Sequence, residues 1–378
     1  MTKRIFISAG EISGDLHAAG LVGELKKLLP DLSFWGLGGD RLKAEGIDEL
    51  YHVDQLSTMG FVEIIRKLPY FRRVVHEVNG RLSDNPPDAA VLVDYPGMNF
   101  KFAEKLNELE IPFVYYILPQ VWAWHKSRIE RMKQWNAKFI SILPFEPEFF
   151  EQHGLNVEYF GHPLIDLAKP DMSRNEFRKS IGLGQDEKLI AVLPGSRLQE
   201  IVRILPRMLA GLRLYRLQGH EVKILCRPAS SHQNDHVSRF ISENGVEADI
   251  FNGNLHTLLS ASDLALVASG TATVDTAICQ TPAIVLYRTN WLTYLIARSV
   301  VTVNNIALAN LISGETVYPE LIQEDLDPGQ IAAEIRKILE NDAISSAIRS
   351  KIARIPVLLG EGGAYAKAAE RVASLISS

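Results

Sequence analysis

Cysteine is scarce: of 378 residues, only Cys226 and Cys279 carry a thiol. With two cysteines neither a disulfide framework nor a structural zinc site is expected, and such scarcity fits a reducing cytosol. No stretch of roughly 18 apolar residues occurs, so no helix is expected to span a membrane. The apolar run near Met1 meets Glu11 and Asp15, too short and too acidic at its end for a signal peptide. A basic excess is also missing. The net charge is −5, which argues against a nucleic-acid partner, so an anionic ligand would need a local basic patch. There is no usable internal repeat and no low-complexity tract. What the chain does have is 47% hydrophobic residues, enough for sizeable cores, in a length that suits about two domains.

Short apolar runs alternate with helix-like patterns from end to end. The first half offers strands at Arg4–Ala9, Ser33–Leu37, Ala89–Val93, Phe113–Ile117 and Lys138–Ile142, with Val157–Phe160 closing it. Helical patterns lie between, notably Ser13–Leu28 and Asn99–Leu109. The second half offers strands at Leu189–Leu193, Val222–Cys226, Ala248–Phe251, Leu264–Val267 and Ala283–Leu286. This spacing predicts an α/β chain with parallel sheets and right-handed crossovers. Two Rossmann-like, doubly wound domains facing across a cleft are expected, 1–165 and 166–344, joined through Gly161-His162-Pro163. A C-terminal helical stretch, about 345–378, is expected to pack back on the first.

The stretch Leu189 to Arg197 is the most telling. Its apolar run reads as a buried strand that breaks at Pro194-Gly195-Ser196-Arg197 before a helical pattern from Glu200 to about Gln218. A small-residue turn at a helix N-terminus leaves backbone N–H groups free for a phosphate, and Arg197 can add a bidentate contact. Ala268-Ser269-Gly270-Thr271-Ala272-Thr273 repeats the design after Leu264–Val267. Two such loops in one half suggest a nucleotide diphosphate.

Asp94 ends the Ala89–Val93 run, where an open α/β sheet meets its ligand. It can accept a proton from a hydroxyl, or simply organise the turn before Pro96. Gly10-Glu11-Ile12-Ser13-Gly14-Asp15 opens the first helix, with Ser13 as its cap. The spacing is neither Gly-x-Gly-x-x-Gly nor a P-loop, and its acids suit a hydroxylated ligand better than a phosphate. From Met59 to Arg73, Phe61, Ile64, Ile65, Leu68 and Phe71 recur at helical spacing beside Arg72 and Arg73, with Pro69 as a break. Such a segment either lies in a membrane interface or packs on its sheet. His232 and His236 read as a solvated face, and Asp325-Leu326-Asp327 as a loop, so no metal is expected. Trp122 and Trp124 suit a sugar or an acyl groove, or the core. Asn304 to Leu311, running on to Glu320, can line a base and ribose pocket.

Taken in order, these segments resemble the lipid-A-disaccharide synthases, membrane-associated glycosyltransferases of the two-Rossmann (GT-B) type. The resemblance rests on Ala9-Gly10-Glu11 with Ser13-Gly14-Asp15, Met59-Gly60 with Val62-Glu63, and Pro119 to Trp124. It continues through Leu143-Pro144-Phe145-Glu146, Gly161-His162-Pro163, Leu193 to Arg197, Ala268 to Ala272, Tyr287-Arg288, Asn310-Leu311 and Pro319-Glu320-Leu321. It implies transfer of 2,3-diacylglucosamine from UDP-2,3-diacylglucosamine to the 6-hydroxyl of 2,3-diacylglucosamine 1-phosphate. The products are lipid A disaccharide 1-phosphate and UDP. It further implies Asp94 as the base, and UDP-sugar contacts at Gly195, Ser196, Arg197, Ser269, Gly270, Thr271, Asp275, Arg288, Asn310 and Glu320. Glu11, Ser13, Gly14, Asp15 and Asn99 fall on the acceptor side.

The helix after Met59-Gly60 becomes the membrane-docking surface on the cytoplasmic face of the inner membrane. No cofactor is implied, and a monomer or homodimer is expected. Two places depart from the family pattern Asp-x-Pro-Asp-Phe-Asn and its loop Glu. Gly97 and Met98 stand for the second Asp and the Phe, and Asp275 stands for Glu. Rival readings are a muramyl-lipid N-acetylglucosaminyltransferase, a UDP-N-acetylglucosamine 2-epimerase, or a non-catalytic UDP-sugar-binding or adaptor protein.

Overall fold

A computed structural model describes residues 2–56, 61–122, 127–291, 294 and 305–377, with only the backbone for 61–65 and 377. The chain divides into two compact units, Met1–Pro163 with Gly360–Ser378, and Leu164–Leu359. The return to the first unit begins at Gly360 rather than near residue 345. The Asp342–Ile352 helix stays in the second unit, where it packs on the Pro328–Leu339 helix.

The first unit holds one parallel sheet ordered β3-β2-β1-β4-β5-β6-β7. Its strands are β1 (Arg4–Ala9), β2 (Ser33–Gly38), β3 (Asp48–His52), β4 (Ala89–Val93), β5 (Phe113–Tyr116), β6 (Ala137–Ser141) and β7 (Glu158–Tyr159). Helices cover both faces, so the central strands must be apolar on both sides, which is why β1 and β4 read as continuous runs. Successive side chains go to opposite cores. In β4, Ala90 and Leu92 join one, while Ala89, Val91 and Val93 join the other. The first core takes the Phe61–Asp84 helix through Phe71, Val74, Val78 and Leu82. The second takes the Ile12–Leu28 helix and the last helix, Ala364–Ser377, through Ala368, Ala369 and Val372.

The second unit repeats the plan with the order β10-β9-β8-β11-β12-β13. Here β8 is Lys188–Leu193, β9 Val222–Cys226, β10 Asp249–Ile250, β11 Leu264–Ala268, β12 Ala283–Tyr287 and β13 Glu320–Ile322. Asp263, just before β11, ties the Arg174–Ser180 helix down. It accepts from Arg174 at 2.7 Å, from the buried Arg178 at 3.2 Å and from the Leu189 amide at 2.8 Å.

Two expectations about helix ends are corrected. Ser13 does not cap the first helix. That helix starts at Ile12 with Glu11 as N-cap, and Ser13 is exposed in its first turn. Pro69 does not break its helix, which runs from Phe61 to Asp84 with the proline inside. A long helix anchored by a buried apolar stripe tolerates the one backbone bond a proline removes.

Candidate active site

In both sheets the strand order reverses direction at one point, between β1 and β4 and between β8 and β11. Open α/β sheets bind ligands at that switch, outside the carboxyl ends of the strands. The loops singled out by sequence follow these four strands.

In the first unit β4 ends in two left-handed residues, Asp94 at φ 45° and Tyr95 at φ 44°. Side chains with a Cβ resist this region, at about 1–3 kcal/mol each, and persist there only when the surroundings over-determine them. The determinants are visible. The Asp94 amide donates to Tyr116 O at 3.1 Å and Ile117 O at 3.2 Å. Its carbonyl accepts from the Tyr115 hydroxyl and from Asn99 Nδ2, both at 2.8 Å. Pro96, with φ already suited to a helix, then starts the Pro96–Glu108 helix. The Asp94 side chain is thereby presented, half-buried, at the strand end.

Asn99 is fully buried. Its Oδ1 accepts from Ser8 Oγ at 2.6 Å, and its amide also reaches Val93 O at 3.1 Å. Its expected place on the acceptor side is corrected to that of a brace for the Asp94 turn, because no face of it is open.

The two loops of this switch point interlock. A Cβ on Gly10 would lie 2.1 Å from the Tyr95 ring, so only glycine permits their approach. Tyr95 donates to Leu56 O at 3.0 Å, and burial, then the Glu11 charge, holds its hydroxyl protonated. Asp15 is corrected in the same way as Asn99. It is buried and accepts amides from Gly39 at 2.7 Å and from Arg41 and Leu42 at 3.1 Å. It therefore anchors the start of the Asp40–Ala44 helix. Glu11, Ser13 and Gly14 remain at the loop. Gly97 is exposed with open space around its Cα, while Met98 fills the core where the family pattern has Phe.

In the second unit β8 opens into Pro194-Gly195-Ser196-Arg197, with Gly195 at φ 113°. The loop amides are not free as expected. Glu200 Oε2 accepts from Ser196 N at 3.2 Å and Arg197 N at 3.3 Å, and Arg197 Nη1 lies 3.4 Å from Glu200 Oε1. A carboxylate caps this helix start, as helix N-termini favour, so an incoming phosphate must compete with Glu200. Arg197 itself is exposed.

Across the switch, Ser269, Gly270 and Thr271 lead into the Ala272–Ile278 helix, with Ser269 Oγ donating to Ile306 O at 3.2 Å. Asp275 is buried and pairs with His256 Nε2 at 2.9 Å. This pairing holds it behind the loop, with its carboxylate turned to His256. Asn310 is likewise buried. Its Oδ1 accepts Val317 N and Tyr318 N at 2.9 Å, and its amide donates to Tyr318 O at 2.9 Å and Glu320 Oε1 at 2.7 Å. Glu320 also takes the Ile306 and Ala307 amides, at 3.0 and 2.9 Å. This pair is a latch between β13 and the Leu308–Ser313 helix, since its polar atoms already have protein partners. Arg288 follows β12 and reaches Gln323 O at 3.4 Å.

Sequence reasoning missed Arg227, which follows β9 beside β8 and feels the Asp275 charge. A cation directly after an apolar strand was its available signal. It also gave Glu146 no role. That carboxyl is buried, and burial pushes it up to about 8.

On the Phe61–Asp84 helix the proposed membrane set divides. Leu68 is 42% exposed and Arg72 and Arg73 are exposed, Arg73 lying over the Tyr70 ring at 5.3 Å. Phe71 is corrected to core, because it sits in the stripe that faces the sheet. The side chains of Phe61, Ile64 and Ile65 lie outside the described residues, as do Met59, Gly60, Ala123, Trp124, His125 and Asn304. No helix of the described residues is long and apolar enough to cross a membrane. His232 falls in a 3₁₀ turn and His236 in the Asn234–Asn244 helix, while Asp327 caps the Pro328–Leu339 helix.

The family model for "Lipid-A-disaccharide synthetase" matches residues 5–367. A lipid-A-disaccharide synthase of Myxococcus xanthus is 34% identical over 99% of this chain and 97% of its own. One of Syntrophus aciditrophicus is 37% identical over 99% and 98%. Among solved structures, UDP-GlcNAc 2-epimerase from Neisseria meningitidis bound to UDP-GlcNAc aligns with a TM-score of 0.65 at 13% identity, over 99% of this chain and 100% of that one. The calicheamicin glycosyltransferase CalG4 aligns at 0.62 and 13%, over 100% and 98%. These structural likenesses show the GT-B fold of two parallel-sheet α/β domains. The sequence matches go further: this chain belongs to the lipid-A-disaccharide synthase family, glycosyltransferases of lipid A synthesis.

Proposed function

We propose that the protein transfers 2,3-diacylglucosamine from its UDP carrier to the 6-hydroxyl of 2,3-diacylglucosamine 1-phosphate, with inversion. The observation that carries this reading is the strained Asp94–Tyr95 turn, a carboxylate held at a sheet switch point in a chain of this family. Asp94 takes the hydroxyl proton as the oxygen attacks the anomeric carbon from the side opposite UDP. Glu11, Ser13 and Gly14, beside Tyr95, suit the hydroxylated acceptor. In the second unit Gly195, Ser196, Arg197, Ser269, Gly270 and Thr271 meet the growing charge on the departing diphosphate, with Arg288 and Arg227 as further cations. Charge on UDP is met by guanidinium groups and, once the phosphate displaces Glu200, by the loop amides, in place of a metal ion.

The enzyme works as a peripheral protein on the cytoplasmic face of the inner membrane, as a monomer or homodimer. Its Phe61–Asp84 helix is the docking element. Exposed Leu68 between basic Arg66 and Arg72 supports this reading. Mass spectrometry of products from both diacylated substrates, with and without EDTA, tests the proposal. A disaccharide 1-phosphate plus UDP in both samples is expected. UDP-sugar consumption without disaccharide would refute it.

A further inference from the structure

The Leu143-Pro144-Phe145-Glu146 motif has no part in the mechanism so far. Strands β4, β5 and β6 are neighbours, so the segments following them stand side by side at the carboxyl edge of the first sheet. The first carries Asp94, the second Trp122, and the third Glu146 at the start of the Glu146–Gln152 helix. Glu146 is 1% exposed and accepts from Trp122 Nε1 at 2.9 Å. Phe145 packs edge-on to the same indole, 5.1 Å between centroids. An apolar side chain would fill a buried place at lower cost than a carboxyl that has hydrogen-bond donors but no cation beside it. That points to a role beyond packing.

We propose that Glu146 is a positioning residue of glycosyl transfer, holding the Trp122 indole beside the strand edge that carries Asp94 and acting on the Asp94 carboxylate across the space between them. This rests on Asp94 serving as the base. The groups facing Glu146 are the Trp122 indole after β5, the Ser141 hydroxyl on β6, the Leu143 amide and the Asp94 charge after β4. Burial raises its proton affinity most, the indole and Ser141 partly oppose it, and Asp94 raises it again, to about 8. Near pH 7 Glu146 therefore favours its neutral form, which spares Asp94 a second anion there. Above about pH 8 the proton leaves, and two carboxylates then repel in a poorly solvated place.

The test compares Glu146→Gln, Glu146→Ala and Asp94→Asn in disaccharide formation across pH 6.5 to 9. Wild-type kcat should bend near pH 8. Glu146→Gln cannot ionise but still accepts from the indole. It should run flat through that region and stay within about threefold of wild type at pH 7, whereas Glu146→Ala should lose roughly tenfold or more in kcat with little change in donor KM. The same bend in Glu146→Gln, or an Ala variant indistinguishable from Gln, overturns the proposal. Where Glu146→Ala fails to fold, the Gln profile alone decides. Full turnover in Asp94→Asn refutes the base assignment. Loss there with indifferent Glu146 variants refutes only the positioning role.

Discussion

Two buried histidines and one buried carboxyl pull the protein's response to acid in opposite directions. His17, on the first helix, shares a 2.8 Å hydrogen bond with the Tyr365 hydroxyl, and the His162 ring stands edge-on to it at 6.4 Å. Burial first, then the Arg41 charge, lowers His17 from 6.5 to about 4. Burial, then His17, lowers His162 to about 3. Both folded values lie below the unfolded one, so the unfolded chain takes up protons first as the pH falls. The histidine contribution is therefore whole above pH 6.5 and is lost on the way down towards 4 and 3. Each pH unit in that window removes about 1.4 kcal/mol per ring, about 4 kcal/mol for the two by pH 5, while Glu146, raised to about 8 in the fold, returns about 2 kcal/mol over the same span, for a net loss of about 2 kcal/mol. Against a total of about 5–15 kcal/mol this is a large share. It corresponds to a fall of roughly 5 °C in the melting midpoint for a unit of this size. Thermal and urea unfolding at steps between pH 7 and 5 measure it. The double variant His17→Gln, His162→Gln should start lower but gain stability as the pH falls, because Glu146 alone is then left to titrate in that window. A wild-type midpoint that hardly moves, or a double variant that keeps the full wild-type slope, refutes the reasoning.

Four further outcomes are expected. Asp94→Asn should keep UDP affinity but lower turnover by about 10²-fold or more, the scale of a lost general base; normal turnover removes Asp94 from that role. Arg197→Ala should weaken UDP binding by roughly tenfold or more in calorimetry, since a charged hydrogen bond is lost; unchanged affinity counts against a phosphate contact. Asn310→Ala should cost about 2–3 kcal/mol in urea unfolding, because it strands buried amides; a neutral result denies the latch. Leu68→Ser with Arg72→Ser should reduce liposome co-sedimentation at unchanged stability, whereas Phe71→Ser should cost about 3 kcal/mol or more of fold stability. Equal effects of the two would reject the division of that helix.

The central strands were legible because helices on both faces force them to be apolar. The edges were not. β3, Asp-Glu-Leu-Tyr-His, is half polar, and β13 has only three residues, so neither rises above the pattern of a loop. The loops of the site were legible from small residues after apolar runs. Their internal chemistry was not. Asn99, Asp15, Asp275 and Asn310 have the residue types of ligand contacts, yet each is turned inward to satisfy backbone or histidine groups. Sequence spacing cannot distinguish a polar group that meets a substrate from one that supports the loop behind it. Nor does any residue type announce two successive left-handed residues at Asp94 and Tyr95. That conformation is imposed by β5 and Asn99, which arrive from elsewhere in the chain.

The second unit is a continuous insertion in the first, and the chain leaves and returns at adjoining points. A Cβ on Gly360 would sit 3.2 Å from the Gly161 Cα. The order of synthesis therefore runs against the order of completion. A ribosome has released all of Leu164–Leu359 before the Ala364–Ser377 helix emerges to cover the core left open beside the Ile12–Leu28 helix. The N-terminal unit must wait, with that apolar surface bare, while its C-terminal neighbour folds. Nascent chains stalled just short of residue 360 are the form most in need of a chaperone.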